Sequence, residues 1–128
     1  MEFPSDLKYT EDHEWIRVEG NIGFIGITDY AQGELGEIVY VEVETVGDSL
    51  EKGDVFGTVE AVKTTSDLYM PVSGKILEFN SELDESEGDN PALINESAYD
   101  KGWIVKVELS DLSDLDSLMN SEEYAAHI

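Results

Sequence analysis

The first two thirds of this chain read as short β-rich runs with glycine punctuation between them. That rhythm limits the possible folds more than any other feature. Glu14-Trp15-Ile16-Arg17-Val18 reads as a strand, and Glu19-Gly20-Asn21 turns it back into Ile22 to Ile27 as a hairpin. Ile38 to Val43, rich in β-branched and aromatic residues, is the clearest strand of all. Gly47-Asp48 and Lys52-Gly53-Asp54 are turn signals on either side of Ser49-Leu50-Glu51. Val55 to Val62, Asp67 to Met70, Lys75 to Phe79 and Trp103 to Leu109 complete the series, with Pro71-Val72-Ser73-Gly74 as a further turn. Many short strands with frequent turns imply a mainly β sandwich or barrel. A length of 128 residues, 41% of them hydrophobic, suits one domain with one core, residues 1–128.

The helical signals are few. Thr28 is placed to cap a short helix from Asp29 to Leu35, with Asp29 at its positive end and Gly36 to stop it. Gly33 inside so short a helix costs about 1 kcal/mol relative to Ala, so packing must hold it. Ser81 to Asn90 contains five acids and no base and reads as a solvated loop. Pro91 can open a helical turn reaching Asn95. The tail reads as helix from Ser113 to Met119, with Asn120-Ser121-Glu122-Glu123 as a capped restart. Leu112, Leu115, Leu118 and Met119 fall at helical spacing and are expected to dock on the sheet rather than form an interface.

Charge and composition exclude several functions. Thirty acids against seven Lys and Arg give a net charge of −23. Nucleic-acid binding needs clustered cations, and an anionic membrane surface would repel this chain. A strongly solvated surface explains the charge; steering towards basic partners is the functional alternative. The absence of cysteine excludes disulfides, thiolate metal sites and thiol nucleophiles. Two distant histidines, His13 and His127, make a zinc site improbable, and no metal is expected. No apolar run approaches the roughly 18 residues that cross a bilayer. Met1 to Lys8 lacks the pattern of a signal peptide and is not Arg-rich.

No nucleophile elbow and no phosphate-binding loop is present, so no catalytic residue is expected. One segment stands apart: Gly57-Thr58-Val59-Glu60-Ala61-Val62-Lys63-Thr64-Thr65-Ser66-Asp67-Leu68-Tyr69. Two β-rich stretches flank a short polar middle that holds a single lysine. A hairpin here presents Lys63 to solvent at its tip, where a modifying enzyme could reach the amine. Taken alone this is an ordinary exposed lysine.

The surrounding residues add to that reading. The ordered set Gly47-Asp48-x-Leu50-x-Lys52-Gly53-Asp54-x-Phe56-Gly57-x-Val59-Glu60-x-x-Lys63, followed by Pro71-Val72-Ser73-Gly74-x-Ile76, resembles the biotinyl and lipoyl carrier pattern. Three further stretches narrow the resemblance to the glycine cleavage H proteins: Leu7-Lys8-Tyr9-Thr10-x-x-His13-Glu14-Trp15; Gly26-Ile27-Thr28-Asp29-Tyr30-Ala31-Gln32 with Leu35-Gly36-Glu37-Ile38-Val39; and Asn90-Pro91-x-Leu93-Ile94-Asn95 with Gly102-Trp103. The resemblance runs from about Leu7 to Tyr124. Ala61 stands where that family more often has Ser, and Thr64 where it commonly has Ala, while Glu60 and Lys63 are kept. The acidic loop 84–89 looks a few residues longer than the family's usual one.

The resemblance implies a flattened β-sandwich, the barrel-sandwich hybrid of biotinyl and lipoyl carriers, with short peripheral helices and a C-terminal helix. It implies a carrier without an active site of its own, with lipoate attached covalently to Lys63 by a lipoate ligase or lipoyl transferase. Such a carrier takes the aminomethyl group of glycine from a PLP-dependent glycine decarboxylase (P-protein) to a folate-dependent aminomethyltransferase (T-protein). A dihydrolipoyl dehydrogenase (L-protein) then reoxidises it. In the family the loaded arm folds into a surface cleft, for which Glu14, Asp67 and Glu34 are the candidate carboxylates by motif position. His13 reads as a packed structural residue. A monomer in the bacterial cytoplasm is expected, or in the mitochondrial matrix if the protein is a processed eukaryotic one. Three other readings remain at this point. A biotin carrier usually has methionines where this chain has Val62 and Thr64. A 2-oxoacid dehydrogenase lipoyl domain usually has Asp before the lysine. An H-like module could have lost the cofactor or could relay lipoate to other enzymes.

Overall fold

A computed structural model describes residues 3–128. Among the described residues, nine strands form two antiparallel sheets. The strands are β1 (Lys8–Tyr9), β2 (Glu14–Glu19), β3 (Ile22–Ile27), β4 (Ile38–Glu42), β5 (Ser49–Leu50), β6 (Val55–Ala61), β7 (Thr65–Tyr69), β8 (Gly74–Phe79) and β9 (Val105–Leu109). The larger sheet runs β1-β2-β3-β9-β8-β5 and the smaller β4-β6-β7. Between them lies a thin core, because alternate side chains of each strand point inward. Ile16, Ile25, Val105 and Val107 enter it from the large sheet, and Val41, Val59 and Leu68 from the small one, all buried. This is the sandwich that the turn rhythm implied.

Helix α1 (Asp29–Leu35) has the predicted ends. The Thr28 hydroxyl accepts the Ala31 N–H at 3.1 Å, and Gly36 stops the helix at a φ of 82°, a conformation that L side chains resist. A short α2 (Leu93–Glu96) follows Pro91, and α3 (Ser121–His127) starts with a capping box between Asn120 and Glu123. The acidic loop is anchored by Leu83, which is buried in the core.

A second, smaller cluster joins the two ends of the sequence. Leu7, Tyr9, Trp15 and Tyr124 are buried together, and the rings of Tyr9 and Tyr124 stack at 4.8 Å. Tyr9 and Met119 exchange backbone hydrogen bonds of 2.8 and 2.9 Å.

Five details differ from the sequence reading. The two-residue β1 was not foreseen, being too short for any periodicity. β7 begins at Thr65 rather than Asp67, and β9 begins at Val105 rather than Trp103. The tail segment Leu112–Ser117 is a 3-10 helix, tied to the sheet where Asp114 accepts the Ser73 N–H at 2.9 Å. Leu115 and Leu118 pack on the core as expected, but Leu112 lies before that tie and is 52% exposed.

Candidate functional site

The β6–β7 hairpin pairs Glu60 with Thr65 and closes when the Ala61 N–H donates to the Thr64 carbonyl at 2.7 Å. Val62, Lys63 and Thr64 are left at the tip, all exposed. A second bond steadies the tip from outside: the Val62 N–H donates to the Glu37 carbonyl at 3.1 Å. The stem of Lys63 runs beside Gly36, where a Cβ would stand 3.4 Å from Cε and 3.8 Å from Nζ. Among the described residues the side-chain ion pairs are Arg17–Glu19 and Lys106–Glu78, so Lys63 has no carboxylate partner despite the acidity of the chain.

At the other end of β7 lies a cavity of about 310 Å³. Its wall comes from four separate stretches: Tyr9 to Asp12 with Glu14, Lys52 and Gly53, Tyr69 to Pro71, and Ser117 to Met119. Glu14 lines it from the first position of β2 and is only 2% exposed. The Thr10 hydroxyl donates to its Oε1 at 2.8 Å, and the Tyr69 N–H donates to its Oε2 at 3.2 Å. These bonds favour the charged form but do not offset the loss of water, and burial pushes the Glu14 carboxyl up to about 8. The cavity therefore holds a carboxyl whose charged form is disfavoured by burial.

The other two candidate acids do not line this cavity. Asp67 is exposed on β7, paired with Thr58 and two residues before Tyr69 on the same face of the strand. Glu34 is exposed on α1. His13 is held at a φ of 68°, with Nδ1 2.8 Å from the Tyr124 hydroxyl, whose oxygen is also 2.8 Å from Thr28 Oγ1. Burial, then the nearby His127, lowers its proton affinity. This is the packed role expected of it. Sequence reasoning missed Thr10, Lys52, Tyr69 and Met119 as parts of the cavity. No local pattern marks them, because only the tertiary fold brings their segments together.

The glycine cleavage H-protein family model matches residues 7–128. The chain belongs to the glycine cleavage H-protein family. Two H proteins of staphylococci are similar along nearly their whole length. That of Staphylococcus saprophyticus is 58% identical over 128 residues, 100% of this chain and 98% of its own. That of Staphylococcus haemolyticus is 57% identical over 124 residues, 97% of this chain and 95% of its own. A crystal structure of a glycine cleavage system H protein from Mycobacterium marinum superposes with a TM-score of 0.84 at 36% identity, covering 97% of each chain. The chain's lipoyl-carrier nature follows from membership of this family, a carrier component of the glycine cleavage system. The hairpin tip fits such a group: an exposed primary amine, no acid to tie it up, and a backbone fixed on both sides. No helix of the described residues is long and apolar enough to cross a membrane.

Proposed function

We propose that Lys63 carries a covalently attached lipoyl group, and that the chain serves as a single carrier domain between the enzymes of glycine cleavage. The observation that carries this reading is the tip itself. Lys63 is exposed on a hairpin closed at 2.7 Å, and among the described residues no carboxylate pairs with its amine. Acylation removes the cation and leaves an amide, so no buried charge has to be rearranged. When bound, the group supplies a cyclic disulfide on a long arm, able to accept a one-carbon amine and to be reoxidised afterwards.

The chain's own residues then have separate tasks. The hairpin presents the attachment point to a lipoate ligase or transferase, and later to glycine decarboxylase, aminomethyltransferase and dihydrolipoyl dehydrogenase in turn. Glu14, inside the cavity, is the carboxyl that would meet the amine of the load away from water, the two sharing one proton between carboxyl and amine. Asp67 and Glu34, both outside the cavity, are lesser candidates for the same contact. The net charge of −23 draws partners that bear basic docking faces. With staphylococcal relatives, bacterial cytoplasm is the compartment we assign.

Intact mass, with fragmentation of the Lys63 peptide after co-expression with a lipoate ligase and added lipoate, tests the reading. A lipoyl adduct confined to Lys63 supports it. A biotin adduct, or an unmodified chain beside a modified control H protein, overturns it.

A further inference from the structure

The motif Asn90-Pro91-x-Leu93-Ile94-Asn95 helped to mark the family, yet nothing so far gives its last residue a task. Asn95 sits on α2, 32 positions beyond Lys63 in the chain. Its side-chain amide makes three hydrogen bonds, all to the α1–β4 connection. Oδ1 accepts the Ile38 N–H at 3.0 Å. Nδ2 donates to the Gly36 carbonyl at 2.9 Å and to Gln32 Oε1 at 2.8 Å. Gln32 is oriented in turn by donating to Asp29 Oδ1 at 2.7 Å. One side chain thus grips the end of α1, the glycine that stops it and the start of β4.

That connection is the part of the molecule that touches the hairpin tip. The Glu37 carbonyl accepts the Val62 N–H at 3.1 Å. Ile38 pairs with Ala61. Gly36, at a φ of 82°, lies against the Lys63 stem. The α2 turn that holds Asn95 is itself pinned: the Gly102 N–H donates to the Ser97 carbonyl at 2.8 Å, and a Cβ on Gly102 would stand 2.7 Å from that oxygen. The order of support runs from Gly102 through α2 and Asn95 to Gly36–Ile38, and from there to Val62 and Lys63.

We infer that Asn95 is a positioning residue for acylation: it fixes the Gly36–Ile38 turn, so the acylating enzyme meets that turn and the hairpin tip as one preformed surface. This rests on the carrier reading of Lys63. A hairpin tip alone is free to sway; one tied to a braced turn keeps its amine in a narrow range of positions. Because a misplacement of about 1 Å can cost about a hundredfold in rate, such bracing is read out in turnover.

Asn95→Asp keeps the acceptor for Ile38 and removes both N–H donors. It sets a carboxylate against the Gly36 carbonyl and loosens the turn with little change of shape. Gly36→Ala loosens the same turn through backbone strain. Gly20→Ala is the control for strain alone, because Gly20 has a φ of 68° and nothing within 4 Å of where a Cβ would go. Each variant would be acylated with lipoate, ATP and a lipoate ligase, below the unfolding midpoint found by circular dichroism. Hydrogen exchange at the Val62 amide would be followed alongside.

We expect Asn95→Asp and Gly36→Ala to lose about tenfold in kcat, with KM for the protein little changed and faster Val62 exchange, while Gly20→Ala keeps the wild-type rate. A wild-type rate for Asn95→Asp with faster Val62 exchange overturns the inference and leaves the carrier reading standing. An equal loss in Gly20→Ala also overturns it, since general strain would then explain the effect. A wild-type chain left unmodified at Lys63 overturns both.

Discussion

At one end of β7 the chain turns through Val62, Lys63 and Thr64 with all three side chains in solvent; at the other, Tyr69 gives its N–H to a carboxyl shut away from water. The four residue steps between Thr65 and Tyr69 span roughly 13 Å. The first region is held by backbone bonds and leaves its reactive group unpartnered. The second uses side chains from distant segments and buries its titratable group. An attachment point must be reached by several large enzymes, so it profits from exposure. A resting place for a labile load must exclude water, so it needs walls. On the proposed reading, placing the two regions at opposite ends of β7 lets each have its own environment without a hinge.

If that division is real, damage at one end should spare the other. Lys63→Ala should abolish lipoyl attachment and all glycine exchange in a reconstituted system, yet shift stability by less than about 0.5 kcal/mol, because the side chain is exposed. Retained exchange, or a large drop in melting temperature, would break the comparison. Tyr124→Phe should do the reverse. It removes the hydroxyl that meets both Thr28 and His13 and should cost about 1 to 3 kcal/mol in chemical denaturation, while mass spectrometry still finds Lys63 acylated.

Ionic strength probes the charge of the molecule as a whole. Raising it from about 0.01 M to about 0.15 M shortens the screening length from roughly 30 Å to roughly 8 Å. Transfer rates with the decarboxylase and aminomethyltransferase should then fall several-fold; salt-independent kinetics would argue against steering by the charge of −23. The smallest effect concerns Glu14. Folding raises this carboxyl from its ordinary value of 4.5 to about 8, chiefly by burial. Between those values the native state binds more protons than the unfolded chain, so this group's contribution to stability falls as pH rises through that window. Glu14→Gln imitates the neutral acid and should flatten the decline in melting temperature between pH 5 and pH 8. An unchanged slope would mean that the carboxyl is ionised throughout.

The same contrast explains what could be read from the sequence. The Lys63 hairpin is local: its strands, its turn and its lysine lie within one stretch of chain, and alternation plus flanking glycines suffice to find it. The Thr28 cap and the Gly36 stop were equally legible, since each acts on neighbours three or four residues away. The Asn120 capping box is of the same kind. The cavity is not local. Glu14 was named from its motif, but Lys52, Tyr69 and Met119 come from strands and turns whose pairing no short window encodes. Leu112 departs from the expectation because four apolar residues at helical spacing do not say where a helix begins to touch its sheet. Asn95 was quoted as a motif residue and given no role, since its three partners lie about 60 positions earlier in the chain.

The stacking of Tyr9 on Tyr124 has a bearing on how the molecule is made. These rings are 115 positions apart, and together with Leu7 and Trp15 they form a hydrophobic cluster separate from the main core. A chain emerging from the ribosome has its first strand, its first turn and Trp15 long before the residue that covers them. The sandwich can gather as its strands appear, but this corner waits for the last helix. Closing so wide a loop is slow for topological reasons. Until α3 arrives, the wall that Ser117 to Met119 give the Glu14 cavity has no fixed place, so the Lys63 hairpin can form before that cavity is closed.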